Sequence, residues 1–107
     1  MALRRIEEIK IAPSGNLFVR PEPAEGAADA MIYRAGNGLR WDPKERAFHA
    51  AEPQRWEHAE LLLHIVRTLA AECGDTLLIS DSTRWTNVPQ AQVAALRSVS
   101  AKEAPDI

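Results

Sequence analysis

Apolar residues in the first half of the chain come in short runs cut by turn-forming residues, whereas in the second half they recur every three to four positions. Leu3, Ile6 and Ile9 fit a helical spacing, yet Ile9 and Ile11 alternate about Lys10 as a strand would. The next residues favour a strand over 4–11. Pro13-Ser14-Gly15-Asn16 is a turn cluster and Leu17-Phe18-Val19 a compact apolar run ended by Pro21, so the two runs read as a β-hairpin. Residues 22–29 are rich in Pro, Ala, Gly and acid and read as an exposed connection. Residues 30–35 then face Leu39-Arg40-Trp41 across Gly36-Asn37-Gly38, where Asn-Gly tolerates the positive φ of a tight hairpin. Asp42-Pro43-Lys44-Glu45 forms a further turn, returning through Ala47–Ala50.

Pro53 suits a first helical turn and Gly74 the left-handed residue that ends a helix. Between them Ala59, Leu62, Leu63, Val66, Leu69, Ala70 and Cys73 form one apolar stripe, with Glu57, Glu60, His64, Arg67 and Thr68 opposite. Leu61 and Ile65 widen the stripe beyond what one helix on a sheet needs, which predicts contact with a second helix or a second copy of the protein. Thr76-Leu77-Leu78-Ile79 reads as a short central strand, and residues 80–86 as a polar loop. Asn87 with Gln90 resembles a capping box and opens a second helix over 88–99, with Val93, Leu96 and Val99 inward. The tail from Ser100 reads as frayed.

Strands followed by helix, strand and helix predict an α+β fold. The expected form is an antiparallel sheet of about five to six strands, with a β-meander in the first half, packed on one long helix. A further strand and a shorter C-terminal helix complete it. The 107 residues suffice for a single domain, 1–107, with 1–3 and 100–107 flexible.

Thirteen basic and fifteen acidic side chains leave a formal charge of −2. Their interleaving, as in Arg4-Arg5 beside Glu7-Glu8, argues against nucleic acid or an anionic membrane as partner. The lone Cys73 excludes an internal disulfide and a Cys-rich zinc site, and no apolar run approaches the ~20 residues of a membrane span. The expected compartment is the cytoplasm. Ten of thirteen cations are arginine and eighteen residues are alanine, a bias expected of a GC-rich bacterial genome.

Catalytic and metal constellations are weak. His58 and His64 stand six apart on a helix and cannot chelate from one face, and His49 is remote in sequence, so no metal and no cofactor are expected. Ser80 or Ser82 with Asp81 and a histidine lacks a nucleophile elbow, and Cys73 sits where a helix dipole opposes a thiolate; no catalytic residue is assigned. Arg84 beside the helix start near Asn87 suits an anion, unless Arg84 pairs with an acid such as Asp81. Arg34, Arg40, Trp41, Arg84 and Trp85 bring Arg and Trp to strand ends and loops, a pairing enriched at interfaces. Trp41 reads as core, Trp56 as opening the main helix, and Trp85 as at least half exposed. The expected function is a non-catalytic binding or protein-interaction module, acting as a homodimer through Leu61 and Ile65 or through the sheet edge. The alternative is a small enzyme or small-molecule-binding protein with a pocket between sheet and main helix. Tyr33, Trp41, His49 and Trp85 would line it, with Arg34 as charged anchor. Arg34, Trp41, His49, Arg84 and Trp85 are the candidate ligand-binding residues.

Overall fold

Ile6 and Ile9 are both fully buried although three positions separate them. A β-bulge explains this: the pairing register of the first strand shifts between Ile6 and Glu8, so one extra residue brings both isoleucines to the core face. The computed structural model describes residues 3–22 and 38–103, except the side chains of Pro53, Cys73, Lys102 and Glu103. In chain order these form β1 (Leu3–Ile11), β2 (Leu17–Glu22), β3 (Leu39–Asp42) and β4 (Ala47–Ala50). A 3₁₀ turn (Pro53–Arg55) leads into α1 (His58–Cys73), followed by β5 (Thr76–Leu78), β6 (Arg84–Thr86) and α2 (Gln90–Glu103). The expected connection over 22–29, the strand over 30–35, Tyr33 and Arg34 fall outside the described residues, apart from Glu22.

The β1–β2 hairpin turns as the sequence predicts, with Gly15 at φ 89 and its N–H donating to the Ala12 carbonyl at 2.8 Å. β2 runs through Pro21 instead of stopping there. Pro21 pairs with Ile6 beside the bulge, where a missing N–H is tolerated. β3 and β4 form the second hairpin. At its turn the Asp42 carboxylate accepts the Glu45 N–H at 3.0 Å and the Lys44 N–H at 2.8 Å. The Glu45 bond is the main influence holding its pKa below the ordinary carboxylate value.

The fold is α+β, with a mixed sheet of six strands ordered β3-β4-β2-β1-β5, and β6 beside the other half of β1. The expected antiparallel meander is corrected on two points. β4 inserts between β3 and β2, and β5 and β6 run parallel to β1. The parallel pairs arise because α1 carries the chain from β4 across the sheet and returns it in the same direction. β5 lies at the sheet margin beside β1, not in its centre, and β6 gives the expected polar loop a strand of its own. The two helices have similar lengths, 16 and 14 residues.

The core lies between one face of the sheet and α1, with Ile6, Ile9, Val19, Phe48 and Leu77 meeting Leu61, Leu62, Ile65 and Leu69. Leu61 and Ile65, expected at the free edge of the helix, are 1% and 0% exposed and lie in the middle of its buried face. Ala70, expected inside, is exposed. The additional partner is a second helix: α2 packs on α1 and buries Leu96. α2 continues past Ser100 to Glu103, and Ser100 is 3% exposed because its hydroxyl accepts the Ile79 N–H at 3.0 Å. α1 itself begins at His58, after the 3₁₀ turn that contains Pro53, and ends on Gly74 at φ 71.

Candidate functional site

The face of the sheet turned away from α1 is polar and internally paired. Arg5 pairs with Glu22 and donates to the Ser82 hydroxyl. Glu8 meets Arg20 at 3.4 Å and accepts the Thr86 hydroxyl at 2.6 Å, and Lys10 meets Glu45 at 3.2 Å. Among these charges Phe18 and His49 stack with centroids 4.9 Å apart, and Asn16 Nδ2 lies 3.3 Å from His49 Nδ1. Opposite charges on neighbouring strands make this a solvated lattice of ion pairs, and among the described residues they leave no basic strip for a polyanion.

Of the residues expected to line a pocket between sheet and helix, the described ones, Trp41, His49 and Trp85, are dispersed. Trp41 pairs with Phe48, its ring edge-on at 4.9 Å on the core face, whereas His49 pairs with Arg40 and faces the opposite side. Trp85 pairs with Ile9 in β6. It is four strand steps from β3, about 19 Å at the usual strand spacing. Trp85 is partly buried against the core, with Arg97 5.4 Å over its ring. Arg84 meets Glu7 at 3.7 Å rather than Asp81. Strand alternation and sheet width therefore keep Trp41, His49 and Trp85 apart, and Arg84 belongs to the ion-pair face.

Asn87 does not cap α2. Its φ of 61 is left-handed, whereas a capping residue is extended, and the first carbonyl of the helix is that of Pro89, bonded by Gln92 and Val93 at 2.9 and 3.0 Å. Ser80 and Ser82 share a hydrogen bond at 3.0 Å, and among the described residues neither touches a histidine. Among those residues, too, no three His, Cys, Asp or Glu side chains converge to hold a metal ion.

Concave surface gathers at the N-terminal end of α1. His58 Nε2 lies 2.9 Å from the Gly15 carbonyl and Nδ1 lies 2.6 Å from Gln92 Oε1, so one imidazole ties the β1–β2 turn to both helices. Two residues earlier, half-buried Trp56 lies flat on His64, with centroids 4.7 Å apart and planes 18° from parallel. Its ring also approaches Gly38, where an added Cβ would meet Cζ2 at 3.9 Å. The rest of the indole divides two clefts. One, of about 450 Å³, runs over Glu57, His58, Gln92 and Leu96; the other, of about 310 Å³, over Ala51, Glu52, Arg55 and Glu60. Sequence reasoning placed Trp56 at the helix entrance without making it a site residue. The available signal was its position amid Glu52, Glu57 and Glu60, just ahead of a helix.

No family model and no curated protein matches the chain. Among solved structures the chain is similar to the integron cassette protein Hfx_Cass5, from the mobile metagenome of the North West Arm sewage outfall. The identity is 30% over 94% of this chain and 98% of that one, with a TM-score of 0.45. That name states an origin and no activity. No helix of the described residues is long and apolar enough to cross a membrane.

Proposed function

We propose that the protein is a non-catalytic binding module whose recognition surface is the Trp56 ridge with the cleft on either side. The observation that carries this reading is the stacking of Trp56 on His64, 4.7 Å between centroids, with the rest of the ring lining both clefts. An indole held in place at a concave surface offers large contact area at little further loss of conformational freedom, which is why tryptophan dominates binding hot spots. The histidines support a non-catalytic role: His49, His58 and His64 are each occupied by a ring stack or hydrogen bonds within the fold.

The proposal includes self-association, through the sheet edge in place of Leu61 and Ile65. Pairing through a sheet edge is an ordinary route to a symmetric dimer. A cytoplasmic, bacterial setting is also part of it, resting on the single cysteine and the arginine and alanine bias.

The test is a fragment and short-peptide screen against ¹⁵N-labelled protein. The expected result is shift changes clustered on the Trp56 indole, Ala51 and Gln92 that vanish in Trp56→Leu. Changes clustered on another surface would overturn the reading. Light scattering that gives a monomer at high micromolar concentration would remove the self-association.

A further inference from the structure

We infer that the Trp56 clefts receive a basic segment of a partner protein, with an Arg or Lys side chain laid against the indole. This rests on the Trp56 surface being the recognition site. Among the described residues, three carboxylates, Glu52, Glu57 and Glu60, and one arginine, Arg55, line the two clefts. Arg55 is committed to Glu52 at 2.7 Å. Glu57 and Glu60 are exposed and have no ion-pair partner among the described residues.

Acids are common at helix starts because the helix dipole favours them. That suits both Glu57, at the capping position, and Glu60 in the first turn. Glu57 occupies the capping position with extended backbone and makes no side-chain capping bond, so its carboxylate stays in solvent at the rim of the cleft. Two uncompensated carboxylates flanking the edge of one indole attract a cation twice over, by direct charge and through the electron-rich ring face. A cation on an exposed indole is worth about two- to fivefold in affinity. The same carboxylates repel phosphate, which excludes nucleic acid from this surface. Two clefts sharing a single wall suit successive side chains of an extended chain straddling the ring, a span that one small cation does not fill.

The experiment titrates the full-length ¹⁵N-labelled protein with the peptide Gly-Arg-Gly-Arg-Gly, with its Glu counterpart, and with free arginine amide. Binding of the Arg peptide at the Trp56 indole is expected. It should weaken about threefold or more in Glu57→Gln/Glu60→Gln, and severalfold between 50 and 500 mM salt as the carboxylates are screened. Both substitutions are at exposed positions and keep side-chain shape, so the fold is retained; an unchanged spectrum away from the clefts checks this. Equal binding of the Glu peptide at Trp56, no change in the double variant, or arginine amide binding as tightly as the peptide would overturn the inference while leaving Trp56 the recognition site. If neither peptides nor uncharged fragments perturb the Trp56 surface, the recognition site itself is refuted.

Discussion

Thr83 donates its hydroxyl to the Ile6 carbonyl across 2.6 Å, from the gap between β5 and β6. The same oxygen accepts the Ser80 N–H at 2.9 Å, and the Thr83 N–H returns to the Ser80 carbonyl at 3.1 Å. The outer edge of β1 is thus covered by β5, then by one side chain, then by β6, and the side chain serves the carbonyl beside the bulge. Thr83→Val keeps the shape and strands two buried polar groups. It is expected to lower stability by about 2 kcal/mol in urea denaturation, with Thr83→Ser much closer to the parent. A Val variant as stable as the parent would show that the edge strand does not depend on this bridge.

Asp42 confers a small acid sensitivity. Its folded pKa lies below the ordinary value of 3.8, chiefly through the bond from the Glu45 N–H. A depressed carboxylate stabilises the fold fully above its unfolded pKa, and the contribution disappears as pH falls through the folded one. Asp42→Ala is therefore expected to cost roughly 0.5–1 kcal/mol at pH 7, a modest amount because the turn is in water. Denaturation at pH 7 and at pH 2 should show the difference shrinking toward zero at the lower pH. A difference that grows in acid would contradict the assignment.

Ile65→Glu separates a core position from an interface. With Ile65 fully buried, a carboxylate there is expected to destabilise by about 4 kcal/mol or more, a large share of the 5–15 kcal/mol typical of a domain. Far-UV circular dichroism should show lost helix and not merely a smaller assembly. A folded, monomeric Ile65→Glu protein would place this side chain at a subunit interface after all.

Local signals carried much of the fold. Gly15, Asp42 and Gly74 mark two hairpin turns and a helix end from short stretches of sequence, because turn and cap chemistry is decided by neighbours. The spacing of Ile6 and Ile9 is ambiguous for a reason the register reveals: a bulge mimics helical periodicity within a strand. Strand order and direction were not legible, since the parallel partners of β1 lie far along the chain and no local pattern encodes them. The site followed the same rule. Trp41, His49 and Trp85 looked alike as residue types, but which sheet face each occupies follows from register and strand order, and Trp56 gained its place through tertiary contacts with His64 and Gly38.

The position of β1 between β2 and the β5/β6 margin has a consequence for synthesis. Its partner on one side follows within a few residues, while those on the other side, beginning at Thr76, lie beyond α1. At 5–20 residues per second, roughly 3–13 s pass between translation of the end of β1 and the start of β5. During that interval one flank of a nascent hairpin has no native strand to join and is open to neighbouring polysomal chains. Arg5, Glu8 and Lys10 place charge along that strand, and a charged edge is harder to pair with another chain than an apolar one.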